Sequence, residues 1–588
     1  MKKIMFFAAA VLAVLGCSKE KTGVENVPVM NAVTIRATAG EITKTTYTEE
    51  KTFAWEAGDK ISVLGVKGSS MKFFVFETAE SGASVDFTGL VEEGYQLGDY
   101  AVYPETLEPS ISGGKLHMTL PSELSDASEL KNLPLVGLTS GENAYAFKTA
   151  TGIVKFTLEN LWANAASVKL TSLNEPLSGE FALAPTAGAL TFDAVVSGEM
   201  TLKAGIEPDA AGTAVFYVPV PEGSLAALDV TVLDKDNNEL GTKSSTKEIA
   251  ISRNKVLPLK ALPMRTWHIE TLAGNGGTSS KDGIGTAALM NIPQDIVLAP
   301  DGTYWFSQRN GAGTHGIRSF DKETKKVKSI VIGSDNTSMI YGSFPWGIAF
   351  NPSGDLIICC KGNTAANRRV LKLKVSDMTL SEYKPTNFPT GTNFMFAEFD
   401  NDGICYISDR NSGSTSFIYK VENEEMTKKY TVSGLIESMR FDFARKNLLL
   451  GGNATGNLRS IDPATETVTV LAGGSRHTDA STYTDGTVGM PLTATLGNVS
   501  AICPDSKGRI FFTDANAHTI RILSPGTSGY TDGTVKTILG KPYTQGSVDG
   551  DSVTATLQNP YGIVRVTDDE FLVVCGSGSN RIRRFWLE

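Results

Sequence analysis

Residues 559–588 read NPYGIVRVTDDEFLVVCGSGSNRIRRFWLE, and the pattern of this stretch occurs five more times in the second half of the chain. A short apolar strand leads into a tight turn, a second apolar strand, and a third strand that usually carries Arg or Lys. The first two strands of the other copies span residues 292–308, 344–360, 394–409, 436–452 and 499–514. One such unit cannot bury its own apolar faces, so units repeated at this period stack around a common axis. The sequence therefore predicts a ring of six sheets.

A fourth strand appears as WHIETLAG (267–274), TVTVLAG (467–473) and TVKTILG (534–540). The segment 267–274 precedes the first unit and has no third strand of its own, whereas the sixth unit ends on its third strand at Glu588. We therefore expect 267–274 to complete the sixth sheet. Closure of this kind hides the strand edges that would otherwise associate with other chains.

The six units resemble NHL repeats. The residues that carry the resemblance are Asp282-Gly283, Asp485-Gly486, Asp549-Gly550, Pro293, Pro345, Pro560, Asp409, Asp514 and His518-Thr519-Ile520-Arg521. The resemblance covers residues 267–588 and implies a six-bladed β-propeller closed by its N-terminal strand. It does not decide function, because this fold hosts protein, nucleic-acid and ligand binding as well as catalysis.

Residues 30–262 alternate apolar and polar side chains, as in KISVLGV (60–66), GIVKFTLEN (152–160) and TAVFYVPV (213–220). Short alternating strands separated by Gly, Pro, Asn and Asp are typical of antiparallel sandwiches. A break near residues 121–145 divides the region into two predicted units, 30–130 and 131–262. The predicted fold class is all-β, with two tandem sandwiches followed by the propeller.

This region resembles the fimbrillin-like surface lipoproteins of Bacteroidales in four stretches: FAWEAGDKI (53–61), DYAVYP (99–104), TGIVKF (151–156) and FYVP (216–219). The resemblance implies transthyretin-like sandwiches that serve relatives as pilus subunits, pilus anchors or stalks. Polymerising relatives lose their first strand after a cut at an arginine, and Arg36 is the candidate here. The alternative is that Arg36 is a solvent-facing strand residue. Because the chain continues into another domain, a shaft-forming pilin is not expected.

The N-terminus contains Lys2 and Lys3, an apolar run from Ile4 to Leu15, and then Gly16-Cys17. Twelve apolar residues are too few to span about 30 Å of hydrocarbon, so residues 1–16 are interpreted as a signal peptide. The run Val14-Leu15-Gly16-Cys17 resembles a bacterial lipobox, which implies lipidation of Cys17 and a tether over residues 17–29. We expect an outer-membrane protein, anchored by lipid and exposed at the cell surface, whose two or three acyl chains would hold it stably.

The composition gives 54 Lys and Arg against 64 Asp and Glu, a net charge of −10. An acidic, membrane-tethered chain is a poor partner for nucleic acid, and none is expected. The five cysteines after Cys17 lie in apolar strands and are predicted to be buried free thiols. Only five histidines occur, and no metal, nucleotide or hydrolase motif is present, so we expect no cofactor, no metal and no catalytic residues.

One rim of the propeller channel offers candidate ligand-binding residues. The position after the Pro of the first strand carries Gln294, Trp346 and Tyr561 in three neighbouring blades, and aromatic rings beside an amide suit sugar binding. Arg309 and Arg410 follow second strands and could face the same ligand. The alternative is that Trp346 and Tyr561 pack between blades.

Three functions remain open from the sequence. The leading hypothesis is a non-catalytic surface lipoprotein that displays the propeller to bind a glycan or protein ligand, in adhesion or polysaccharide capture. A second is an accessory or tip subunit of a fimbria that exchanges strands with other surface proteins. A third is a propeller lyase or hydrolase.

Overall fold

The computed structural model describes residues 28–39, 43–44, 54–125, 127, 133–186, 189–195, 198–309, 316–332, 344–362, 364–410, 415–452 and 456–588. The predicted signal peptide, Cys17 and most of the tether lie outside the described residues. Within these ranges the regular structure is strand apart from four 3₁₀ turns, at Glu105–Leu107, Gly285–Ala287, Ala365–Asn367 and Pro491–Thr493. The predicted all-β class is confirmed. No helix in the described ranges is long and apolar enough to cross a membrane.

The first unit is a closed seven-stranded barrel. In spatial order its strands are Met30–Ala39, Ala144–Thr149, Leu135–Gly141, Gln96–Tyr103, Lys60–Lys67, Ser70–Glu77 and Ser84–Glu92. Trp55 fills the centre with no exposed surface, and its ring meets the rings of Phe87, Tyr103 and Phe147 edge to face at 5.0 to 5.3 Å. Such aromatic contacts add to the burial energy of a core.

Two predictions for this unit are wrong. The barrel replaces an open sandwich, because Met30–Ala39 pairs antiparallel with Ser84–Glu92 and parallel with Ala144–Thr149, which leaves no free edge. The boundary at 130/131 is also displaced. Leu135–Gly141 pairs with Gln96–Tyr103, so the first unit continues to Thr149.

The second unit packs two main sheets face to face. The first contains Ala214–Val220, Gly152–Glu159, Lys255–Pro258 and Thr43–Lys44, with Leu262–Pro263 added to Gly152–Glu159; the second contains Glu239–Ser245, Leu228–Asp234, Ala165–Ser172, Thr201–Gly205 and Glu123–Leu124. Smaller sheets join Ala189–Val195, Gly179–Thr186, Lys115–Leu120 and Ser110–Ser112, and pair Gly223–Leu225 with Ile249–Ile251. Phe156 and Phe216 stack at 4.9 Å in the core.

Six further sheets form a ring in which the first strand of each sheet contacts the first strand of the next. The sheets are numbered along the chain, and the strands of each sheet are given in spatial order, starting with the first strand at the centre of the ring. Sheet 1 contains Pro293–Leu298, Tyr304–Gln308, Ile317–Asp321, Lys326–Ser329 and Gly283–Ile284. Sheet 2 contains Pro345–Phe350, Leu356–Cys360, Arg369–Lys374 and Thr379–Glu382. Sheet 3 contains Phe394–Phe399, Cys405–Asp409, Thr415–Glu422 and Glu425–Ser433. Sheet 4 contains Ile436–Asp442, Asn447–Gly452, Leu458–Ile461 and Val468–Ala472. Sheet 5 contains Val499–Pro504, Ile510–Asp514, Thr519–Gly526 and Gly529–Leu539. Sheet 6 contains Pro560–Thr567, Glu570–Cys575, Arg581–Leu587, Trp267–Ala273 and Gly550–Asp551. Ser475–Arg476 pairs with Thr495–Leu496 outside these sheets.

The last sheet combines both ends of the ring. Trp267–Ala273 pairs antiparallel with Arg581–Leu587, which is the pairing predicted from the sequence. All five cysteines after Cys17 are buried and free, also as predicted.

Arg265 connects the second unit to the ring through hydrogen bonds and an ion pair. Its Nη1 donates to Asp569 Oδ2 at 3.0 Å, while Nε and Nη2 donate to the carbonyls of Asn160 and Leu161. Asp569 lies in the turn between the first two strands of sheet 6, at the opposite end of those strands from Pro560 and Cys575. The N-terminal units therefore attach to one face of the ring, and the face that carries the starts of the first strands points away from this attachment.

Candidate ligand-binding rim

Three cationic side chains stand at equivalent places on the face away from the N-terminal units. Arg309, Lys361 and Arg410 each follow directly after the second strand of sheets 1, 2 and 3. Sequence reasoning selected Arg309 and Arg410 but missed Lys361. The repeat pattern could have identified Lys361, because it directly follows the second strand LIICC just as Arg410 directly follows the second strand CYISD.

Lys361 lies against the indole of Trp346, with Nζ 4.4 Å from the ring centroid. Trp346 packs on the apolar cluster between sheets 3 and 4 but keeps part of its surface exposed. Burial lowers the pKa of Lys361, and the positive charges of Arg410 and Arg309 lower it further, while Glu437 opposes them. The four charged groups are thus close enough to act on one another.

Glu437 is the single carboxylate in this group. Its Oε1 lies 2.8 Å from Arg410 Nη2, and its side chain is only 6% exposed. Three cations therefore face one carboxylate, which leaves an excess of positive charge in a chain that is acidic overall. We call Arg309, Trp346, Lys361, Arg410, Glu437 and Tyr561 the rim cluster.

Tyr561 joins the cluster from sheet 6. Its pKa is raised by burial above all, with Glu437 raising it and Arg309 lowering it, so the phenol lies within range of the same charges. Its ring covers Gly576, where an added Cβ would come 2.3 Å from Tyr561 Cε2. The alternative that Trp346 and Tyr561 pack between the sheets is therefore correct for part of each ring. Both rings contact apolar clusters, and both remain partly exposed.

Gln294 does not belong to the rim cluster. It is 5% exposed, and its Nε2 donates to the carbonyl of Ile292, just before its strand, and to that of Pro293, the first residue of the strand. The amide therefore stabilises the start of the first strand of sheet 1 rather than facing a ligand.

A cavity of about 550 Å³ opens beside Arg410. Its lining includes Arg368, Asn393, Asp409 and Tyr419, in addition to Arg410 itself. Asp409 accepts hydrogen bonds from the Phe417 N–H at 2.7 Å and from the Tyr419 hydroxyl at 3.3 Å. The space is large enough for a sugar residue beside the rim cluster.

A buried ion network crosses the centre of the ring below this face. Arg440 Nη1 donates to Glu398 Oε1 at 2.9 Å, and its Nη2 donates to Asp295 Oδ1 at 3.2 Å. Asp295 also accepts from the N–H groups of Ile296 and Ile348. Residues of sheets 1, 2, 3 and 4 are thereby joined across the channel.

Glu398 makes stability depend on pH. Burial raises its pKa from 4.5 to about 7, although Arg440 draws it down. A carboxyl whose pKa is raised on folding contributes stability below its unfolded pKa and loses that contribution as pH rises through its folded pKa. We expect the wild-type free energy of unfolding, measured by urea titration, to fall between about pH 5 and pH 8 more steeply than that of Glu398→Gln. Glu323→Gln, at a side chain 84% exposed, is the control and should keep the wild-type slope; equal slopes for all three proteins would contradict this assignment.

His477, Asp514 and Tyr543 form a second polar cluster, at the end of the second strand of sheet 5. His477 Nε2 lies 2.7 Å from Asp514 Oδ2 and Nδ1 lies 2.7 Å from the Tyr543 hydroxyl, while His477 and Asp514 have no exposed side-chain surface. Both ring nitrogens are engaged, so the imidazole holds its loop in place and has no free nitrogen for a ligand. Within the described ranges no group of three or more His, Cys, Asp or Glu side chains is arranged to hold a metal ion.

Arg36, the candidate processing site, lies within Met30–Ala39, a strand paired on both sides. Its side chain is 53% exposed and donates to Asp86 at 2.9 Å and to Ser84.

A family model described as a repeat of unknown function (DUF6923) matches residues 305–534. No curated protein matches the chain. Among solved structures, the chain is similar to a protein of unknown function from Bacteroides thetaiotaomicron, with 13% identity, a TM-score of 0.44 and coverage of 82% of this chain and 98% of that one. It is also similar to an auxiliary nutrient binding protein from the same organism (16%, TM-score 0.44, 80% and 97%) and to virginiamycin B lyase from Staphylococcus aureus (13%, TM-score 0.33, 65% and 94%).

Proposed function

We propose that this chain is a non-catalytic, lipid-anchored outer-membrane protein that binds an acidic glycan at the rim cluster. In this proposal the ring is a six-bladed NHL-type propeller, the N-terminal units are a fimbrillin-like stalk, and Cys17 carries the lipid. The observation that supports it best is the meeting of Trp346, Lys361 and Arg410 on the face that points away from the stalk.

The chemistry of the rim cluster favours an acidic sugar over a neutral one. A partly exposed indole offers a flat apolar surface for the face of a sugar ring. Lys361 and Arg309 place positive charge beside that surface, and Arg410 adds a planar guanidinium that suits carboxylate or sulfate oxygens. Glu437 holds Arg410 in place from the buried side.

The test is a glycan array probed with the purified full chain in detergent, with uronic-acid and sulfated glycans beside neutral glycans of the same backbone. We expect binding to acidic glycans that weakens as salt is raised, because the attraction is partly screened. Trp346→Ala and Lys361→Gln should each weaken binding by about tenfold, which corresponds to about 1.4 kcal/mol.

Trp586→Ala is the matched control. Trp586 is also partly exposed and also carries a cation, with Arg584 4.3 Å from its ring, but it lies on the third strand of sheet 6 away from the rim. It should bind as the wild type does. If Trp346→Ala and Lys361→Gln bind as well as Trp586→Ala, or if binding does not depend on glycan charge, the rim cluster is not the glycan site. If the chain binds a protein ligand and no glycan, the glycan proposal is wrong.

A further inference from the structure

Sheets 1, 5 and 6 share a contact that joins a loop to the outer half of the sheet. A buried arginine of the third strand binds an aspartate of the preceding Asp-Gly loop through Nη2, and the aspartate also accepts from the N–H and hydroxyl of a Ser or Thr in the fourth strand. The three sets are Arg318, Asp282 and Ser329 in sheet 1, Arg521, Asp485 and Thr537 in sheet 5, and Arg583, Asp549 and Thr271 in sheet 6. The arginine–aspartate distances are 2.7 to 2.8 Å, and all three arginine side chains are fully buried. We call this contact the loop lock.

Sheet 4 has the arginine of the loop lock without its aspartate. Arg459 stands opposite Leu450 as Arg521 stands opposite Phe512. Its Nη1 donates to the carbonyl of Ser433 at 2.8 Å, as Arg521 Nη1 donates to that of Thr495. Its Nη2, the atom that binds aspartate in the other sheets, has no hydrogen-bond partner among the described residues, although Arg459 is only 4% exposed. Nε lacks such a partner in all four arginines, so only Nη2 distinguishes Arg459 from the other three.

Sheet 4 lacks the aspartate because the connection that would contain the Asp-Gly loop is too short. Only residues 434–435 connect the last strand of sheet 3 to the first strand of sheet 4. The place of Thr537 is taken by Val470, which is 42% exposed, and Val468 beside it is 46% exposed. In sheets 1 and 6 the loop also adds a short strand to the outer edge, whereas in the described part of sheet 4 that edge carries no added strand.

A buried cation without a carboxylate partner is costly, since the guanidinium has lost its water and is compensated here by a single backbone carbonyl. Burial accordingly lowers the pKa of Arg459. The open edge and its two exposed valines suit an extended backbone, because edge strands accept added strands and apolar side chains beside them.

We propose that sheet 4 binds an extended, aspartate-containing segment of a partner protein, which supplies in trans the loop that sheets 1, 5 and 6 receive from their own chain. An aspartate of the partner would bind Arg459 Nη2, and its backbone would pair with the exposed residues 468–470 of the fourth strand. This site is separate from the rim cluster and does not depend on the proposed glycan binding.

The probe is a synthetic peptide with the sequence of residues 281–289, KDGIGTAAL, which contains the Asp-Gly loop of sheet 1. We expect it to bind the full chain in isothermal titration calorimetry, and a peptide with Asn in place of its Asp to bind at least tenfold more weakly. The Arg459→Met variant should bind the original peptide more weakly than the wild type by the same factor. Sodium acetate serves as a second probe: if it binds equally well and displaces the peptide, the site takes a simple anion only and the proposal of a partner segment fails.

Thermal unfolding of the variants separates binding from structure. Arg459→Met should keep or raise the midpoint, because it removes an unpaired buried charge, whereas Arg521→Met should lower it by breaking a formed loop lock. Arg459→Met that unfolds at as low a temperature as Arg521→Met would show a structural role for Arg459 and overturn the proposal. Equal binding of the peptide by the wild type and by Arg459→Met would overturn it as well.

Discussion

Arg440→Met is expected to lower the free energy of unfolding by about 3–5 kcal/mol, the range found when one partner of a buried ion pair is removed. Arg440 binds Glu398 and Asp295 across the ring, and these carboxylates are 9% and 5% exposed. Without the guanidinium the two buried carboxyls at neutral pH must either stay charged and repel each other or take up a proton, and both outcomes cost free energy of folding. Urea titration of the full chain at neutral pH measures the loss.

The pH dependence of this loss distinguishes the charge from the packing of the arginine. Burial already raises the pKa of Asp295 and of Glu398, and loss of Arg440 raises both further. At about pH 5 the two groups would take up protons, so the deficit of Arg440→Met should shrink there. The control is Arg565→Met, whose ion pair with Asp568 is 43% and 26% exposed and should contribute within about 1 kcal/mol. A deficit that is the same at both pH values would assign it to lost packing instead.

The ring could be predicted because five of its six sheets are each formed by one continuous stretch of the sequence. The first three strands of sheet 2 fall within residues 345–374, so period and turn residues suffice to define them. The pairing of Trp267–Ala273 with Arg581–Leu587 could also be predicted. The sixth unit lacks a fourth strand, and the segment before the first unit is a strand without a sheet of its own. The placement of Arg309 and Arg410 on one face could be predicted for the same reason, because equivalent positions in a repeat lie on the same face.

Other features depend on contacts that no local pattern records. The barrel closes through a parallel pairing of Met30–Ala39 with Ala144–Thr149, more than a hundred residues apart, and alternation alone does not distinguish a closed barrel from an open sandwich. Glu437 was missed because a buried carboxylate in an apolar strand is recognisable only from its partner, Arg410. The Asp-Gly pairs were attributed to turns. Their further role in binding Arg318, Arg521 and Arg583 involves residues about 35 positions away along the chain.

Trp267→Ala should produce the second large loss, about 3–5 kcal/mol, the usual cost of truncating a buried tryptophan. Trp267 is 4% exposed, and its ring lies 5.4 Å from that of Phe511 in sheet 5 and 5.8 Å from that of Phe585 in sheet 6. It belongs to the strand that completes sheet 6, so the cavity forms where the two ends of the ring meet. We expect a lower urea midpoint and faster hydrogen exchange first in Trp267–Ala273 and Arg581–Leu587.

The location of the faster hydrogen exchange distinguishes opening of the ring at sheet 6 from a general loss of core packing. Trp586→Ala removes a partly exposed ring one residue before Leu587, the pairing partner of Trp267, and should cost within about 1 kcal/mol. If Trp267→Ala speeds exchange equally in all six sheets, the ring unfolds as one unit and its seam is not a weaker point. If exchange rises at sheet 6 while sheets 2 and 3 stay protected, the ring opens at the seam before it unfolds. The second result is expected, because the strand pairs of sheets 2 and 3 are joined by short turns, whereas Trp267–Ala273 is held to Arg581–Leu587 by pairing and packing alone.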